Sequence, residues 1–117
     1  MRSHVVKATC GADAPERCGQ ALTVSATALA SGVTVSLWLT GEAAWLAVPG
    51  HTVELAHSAP LTDLRDAVLA GGTLTLCTQC AVRRGITEAD VLPGVRLAGA
   101  AVFVDEVTAD GAQALVY

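Results

Sequence analysis

The chain has few aromatic and few charged residues. Phe, Tyr and Trp make up 3% of its 117 residues, and Asp, Glu, Lys and Arg only 15%. With a net charge of -4, it has neither a basic face for phosphate backbones nor a set of rings for stacking bases, which excludes nucleic acid as a direct partner. Long apolar runs are missing too. Hydrophobic residues reach 52%, yet Gly, Thr, Ser and charges break every segment well short of the roughly 20 residues that span a bilayer. No membrane partner is expected. The opening Met1-Arg2-Ser3-His4-Val5 enters a strand pattern at once, without an apolar signal segment, so a cytoplasmic setting is the expectation. Gly41 and the pair Gly71-Gly72 lack the lysine and the spacing of a phosphate-binding loop. No cofactor is expected.

What is present suits one domain over residues 1–117, long enough to bury roughly two thirds of its unfolded surface without covalent staples. The high apolar fraction points to wide buried faces, a subunit interface among them.

Residues 4–9 read as a first strand, left by the turn Cys10-Gly11-Ala12-Asp13. Asp13, Pro15 and Glu16 carry the start signals of a helix, with Asp13 as N-cap, and Gly32 ends it. Cys18, Leu22, Ser25 or Ala26, and Leu29 share one face of that helix. Residues 33–39 form a β-branched, nearly continuous apolar strand, as in a buried parallel sheet. A short helical piece over 43–48 and an ambiguous loop over 51–59 follow. A second long helix begins at Pro60-Leu61-Thr62, with Leu61, Leu64, Val68 and Leu69 inward. Residues 73–76 are a strand, Thr87 to Asp90 the cap of a short helical turn, and 95–97 a brief strand. Ala100, Phe103, Val104 and Val107 repeat at helical spacing ahead of a last strand over 112–116. The acids Asp105, Glu106 and Asp110 read as the solvated side of that last helix. Strands alternating with helices predict an α/β fold, a mostly parallel sheet of about five strands covered on both faces.

The chemistry concentrates in Cys77-Thr-Gln-Cys80-Ala-Val-Arg83-Arg84. Two thiols at the carboxyl end of a strand, entering a helical turn beside arginines, sit where a thiolate forms readily. One sulfur can attack a disulfide or persulfide and the other resolve the product; the opposing reading makes both of them small buried hydrophobes. Zinc is the rival use of four cysteines. Cys10 and Cys18 lie too far apart for a knuckle, so no metal is expected. Cys10 ends another strand and can reach the same sheet edge as core residue, resolving thiol or accessory thiol, whereas Cys18 packs in the first helix. His4, His51 and His57 lack evident partners, with an acid/base role left open for His51 or His57 if their loop covers the cysteine edge. Trp38 and Trp45 are core or interface anchors.

Residues 76–86, with 92–100 and the closing Ala114-Leu-Val-Tyr117, resemble the DsrE/DsrF-like family, which includes TusD-type sulfur-relay subunits. The Thr9-Cys10-Gly11 turn and the strand ending Leu39-Thr40-Gly41-Glu42 fit as well. The resemblance implies a three-layer α/β/α sandwich, assembly into homo-oligomers such as trimers or hexamers, and a persulfide relay between sulfur donor and acceptor proteins. The acceptor cysteine of such relays matches Cys77. Cys80 departs from the single-cysteine relay subunit, and a second thiol would tend to discharge a Cys77 persulfide as an internal disulfide. The expectation is therefore a sulfur carrier, a sulfurtransferase of the relay type. Cys77 is its acceptor and Cys80 its resolving thiol, Arg83 and Arg84 give electrostatic support, and Cys10 is accessory. A Cys77/Cys80 dithiol-disulfide oxidoreductase of peroxiredoxin type and a non-catalytic oligomeric module are the alternatives.

Overall fold

Five strands lie side by side in the computed structural model, which describes residues 2–117. They are β1 (Ser3–Ala8), β2 (Thr34–Leu39), β3 (Thr73–Cys77), β4 (Arg96–Ala98) and β5 (Ala112–Val116). Their order is β4-β3-β2-β1-β5, and every pairing is parallel. The helices are α1 (Pro15–Ala30), α2 (Leu61–Gly71), α3 (Thr78–Arg83) and α4 (Ala100–Val107), with 3-10 segments at Gly41–Ala47 and Glu88–Asp90.

Handedness assigns the layers. The chain steps from β1 to β4 in one direction, so right-handed crossovers put α1, α2 and α3 on one face of the sheet. The return from β4 to β5 runs the other way and puts α4 on the opposite face. The α/β/α sandwich expected from the sequence is the fold, with its sheet wholly parallel.

On the first face Val6, Ala8, Val35, Leu37, Leu39, Leu74 and Leu76 form one core with Cys18, Leu22, Leu61 and Val68. The second face carries the alternate residues: Val5, Lys7, Ser36, Trp38 and Thr75. It is more polar and more thinly covered, since no residue of α4 is fully buried. Phe103 meets the buried Trp38 edge-on, with ring centroids 5.3 Å apart.

Expectations change at Asp13 and on α4, the alternative left open on α1 is decided, and Arg65 joins the inner side of α2. Asp13 does not cap α1; its Oδ1 accepts from the N–H of Gly11 at 2.8 Å and closes the preceding turn, leaving Ala14 as N-cap without a side-chain bond. On α1, Ser25 rather than Ala26 is buried, its hydroxyl donating to the carbonyl of Ala21. Arg65 lies buried on the inner side of α2, donating from Nη1 to the carbonyl of Leu46 at 3.2 Å while Asp66 takes its other end. On α4, Ala100 and Val104 are exposed and Glu106 turns inward. Its carboxylate accepts from Ser36 Oγ at 2.6 Å, Trp38 Nε1 at 3.0 Å and Arg96 Nη2 at 2.6 Å. Polar groups on the second sheet face require a buried acceptor, which overrides the simple apolar stripe.

Candidate functional site

The loop after β3 turns to one face of the sheet and the loop after β4 to the other, so the carboxyl ends of these neighbours flank a switch point, where parallel sheets open a crevice. Cys77 is the last residue of β3, pairs with Ala98 of β4, and is half-buried.

Alternation along Thr73–Cys77 sends Leu74 and Leu76 into the first-face core, leaving Thr75 and Cys77 on the second face. Cys77 is also the N-cap of α3. No short side-chain bond closes that cap, but the amides at the start of the helix act on the sulfur electrostatically. Partial burial pushes the Cys77 thiol up; the amide of Cys80, the thiol of Cys80, the amide of Gln79 and the ammonium of Lys7 outweigh that and hold it below its ordinary value. A thiolate at Cys77 is thereby favoured, at a position solvent reaches.

Cys80 lies one helical turn on, 8% exposed and in the core. Its Sγ accepts from the N–H of Gly41 at 3.3 Å. Gly41 is brought there by a backbone contact that only glycine permits: at φ +53°, a Cβ would stand 2.3 Å from the carbonyl oxygen of Thr9. Thr40 adds to the clasp, donating from both N–H and Oγ1 to the carbonyl of Ala8. The Thr-x-Gly turn after β1 and the Thr-Gly turn after β2 thus lock the rim against which the cysteine pair sits.

The arginines are placed differently from the expectation of direct charge support. Arg84 Nε donates to Glu42 Oε2 at 2.8 Å, and its Nη1 to the carbonyl of Cys80 at 3.1 Å. It braces α3, and its charge is met by a carboxylate. Arg83 is exposed. The cation that acts on Cys77 is Lys7, for which the sequence offered one signal: a charged residue inside an otherwise apolar parallel strand.

Cys10 follows β1 at the same rim, but its thiol is buried and acts on Cys18, not on the Cys77 pair. Burial, then Cys10 and Asp13, push the Cys18 thiol up to about 12. All four cysteines are free, and among the described residues no group of three or more His, Cys, Asp and Glu is arranged to hold a metal ion. His51 stacks on Trp45 with ring centroids 4.8 Å apart, beside Glu42 and Ala12 in a cavity of about 190 Å³. His57, at φ +57°, lies over α1 near Glu16 and Gln20, and His4 stands at the amino ends of the strands. Neither is brought to the cysteines.

A parallel α/β sandwich with a dithiol at the end of its third strand is the pattern of a thiol or sulfane-sulfur protein. The chain belongs to the DsrE/DsrF-like family, whose model matches residues 5–116. Its fold is similar to that of the YchN protein from E. coli, whose crystal structure aligns with a TM-score of 0.82 over 100% of both chains at 18% sequence identity. No curated protein matches the sequence. Among the described residues no helix is long and apolar enough to cross a membrane.

Proposed function

We propose that this protein carries sulfane sulfur on Cys77 and passes it between a donor and an acceptor protein. Family membership supports a sulfur-relay-type role in general. The observation that carries the specific reading is the half-exposed Cys77 sulfur at the β3/β4 switch point, its ionised form favoured by two helix amides, a thiol and a lysine.

In the loading step the Cys77 thiolate attacks the outer sulfur of a donor persulfide. The donor S–S bond breaks, the donor leaves as a thiolate, and Cys77 becomes a persulfide. An acceptor thiolate then takes that outer sulfur by the same exchange and returns Cys77 to its thiolate. Neither exchange needs an external oxidant or reductant. The Cys80 thiol, one helical turn from Cys77 and among the groups that lower the Cys77 thiol, supports a second outcome. Its attack on the inner sulfur of the persulfide would give a Cys77–Cys80 disulfide and release hydrosulfide, after which a thiol reductant must restore the pair. Cys80 is thus the proposed resolving residue, Arg84 its structural support, and Arg83 an exposed positive charge for a partner's surface. The protein would work as a trimer or hexamer in the cytoplasm.

The test is intact mass measurement after incubation with a cysteine desulfurase and cysteine. Wild type should gain one sulfur atom, removable by dithiothreitol and mapped to Cys77; Cys77→Ser should gain none. Unchanged wild-type mass, or equal loading of the Cys77→Ser variant, overturns the carrier reading. Disulfide formation with mild oxidant, but no loading from the desulfurase, would favour the oxidoreductase reading.

A further inference from the structure

We propose that Lys7 is a positioning residue for the chemistry at Cys77, its ammonium being the cation that the thiolate, and after loading the outer persulfide sulfur, faces across the rim. This rests on the reading of Cys77 as the reacting sulfur.

The placement follows from register. Lys7 pairs with Trp38, and Trp38 with Thr75, so these three side chains share the second face of the sheet. Cys77 is the next residue of β3 on that face. Lys7 and Cys77 are two strand spacings apart, about 10 Å across the sheet, with Cys77 two residues nearer the carboxyl rim than the register partner of Lys7.

The stem has a defined perch. Lys7 Nζ stands 4.2 Å above the centroid of the Phe103 ring. Phe103 in turn meets Trp38 edge-on, and Trp38 is fixed through its indole N–H to Glu106. An ammonium over an aromatic face is held without being neutralised. No carboxylate forms an ion pair with Lys7 among the described residues. Glu106, the acid of α4 on this face, is taken by Arg96, which also donates from Nε to Thr75 Oγ1 at 2.8 Å and stacks on Trp38. On the α3 side, Arg84 is paired with Glu42 and Arg83 points to solvent. Arg84 and Arg96 sit in ion pairs, whereas Lys7 and the exposed Arg83 form none among the described residues.

A half-buried lysine without a counter-ion costs stability unless an anion accompanies it. Cys77 supplies that anion as thiolate, and a persulfide moves the negative charge one bond outward while keeping the same cation in reach. Lys7 also belongs to the groups that lower the Cys77 thiol. Without it the amides remain, so the sulfur should stay competent but slower and less selective for anionic reagents.

The experiment measures alkylation of Cys77 by site-resolved mass spectrometry across pH, in full-length wild type, Lys7→Met and Lys7→Arg. Neutral iodoacetamide and anionic iodoacetate are compared. Lys7→Met should move the pH midpoint of alkylation upward and lower the iodoacetate-to-iodoacetamide rate ratio by about threefold to tenfold; Lys7→Arg should restore both. A purely packing role would leave the ratio unmoved, and an unchanged midpoint and ratio in folded Lys7→Met overturns the assignment, as does Lys7→Arg behaving like Lys7→Met. Should Lys7→Met fail to fold, Phe103→Leu carries the test. It removes the perch and keeps the charge, so the ratio should fall less but in the same direction, and no fall overturns the assignment. Alkylation needs no sulfur donor. Failure of desulfurase loading therefore overturns the carrier reading, whereas unmoved alkylation overturns the role of Lys7, and the two results are read separately.

Discussion

The N–H of Gly41 donates to Sγ of Cys80 at 3.3 Å and holds this second sulfur of the pair in the core. The second sulfur is thus both buried and engaged as an acceptor. Only the first is open to reagents. Cys77 should therefore react with iodoacetamide at neutral pH at least about tenfold faster than Cys80. Cys18 should react only on unfolding, since its thiol is fully buried and pushed up to about 12. Site-resolved labelling orders the thiols, and Cys80 or Cys18 reacting ahead of Cys77 would contradict the geometry.

The same glycine sets a stability test. Gly41→Ala must find room for a methyl group 2.3 Å from a backbone oxygen, at a φ of +53°. Backbone cannot swing aside as a side chain would, so the cost should be about 2–4 kcal/mol. Gly50→Ala, at φ +87° with nothing within 4 Å, should lose only about 1 kcal/mol. Urea unfolding of the two variants separates strain from collision; equal losses would mean that the rim relaxes freely.

Much of this fold could be read from residue order alone. The β-branched runs, Gly32 after α1 and the Thr87–Asp90 cap are local signals that lie where their chemistry predicts, and Cys77 closes β3 with Cys80 in the helix that follows. What escaped is what depends on two distant segments meeting. Glu106 reads as surface on its own helix, because Ser36, Trp38 and Arg96 lie in other elements. Arg65 breaks an apolar stripe, and its reason is a carbonyl of the preceding 3-10 segment. Arg84 adjoins the cysteines in sequence, yet Glu42 claims it, while Lys7 acts on Cys77 from β1, 70 residues earlier. Sequence proximity is a poor guide to charge proximity in a parallel sheet, where every neighbouring strand is a crossover away.

Glu106 gives the fold a pH dependence. Burial pushes its carboxyl up, but donors on Ser36, Trp38 and Arg96, together with the charge of Arg96, outweigh that and hold it below its ordinary value of 4.5. A carboxylate depressed in the folded state releases its proton more readily there than in the unfolded chain. Its contribution is present in full above the ordinary glutamate range and is lost as pH falls through the lower folded-state value. Urea midpoints of wild type should therefore decline on acidification through and below that range. Glu106→Gln should be less stable at neutral pH and show a shallower acid decline. Parallel acid profiles for the two proteins would place the dependence elsewhere.

The thin second face bears on assembly. Val104 and Val116 are 53% and 63% exposed, with Ala114 and Val102 beside them in character, and β5 ends the sheet with no charge of its own. An uncharged edge strand beside apolar helix positions lacks the usual devices against pairing with another chain. A second copy of this protein is the occupant that a trimer or hexamer requires. Light scattering after size exclusion should then give a multiple of the single-chain mass for wild type. Val104→Lys, which charges the exposed side of α4 and leaves the strand partner of Lys7 unchanged, should shift it to one chain while changing stability of the isolated chain by no more than about 0.5 kcal/mol. Wild type running as a single chain at high concentration would refute this use of the face and leave the chemistry of Cys77 to a monomer.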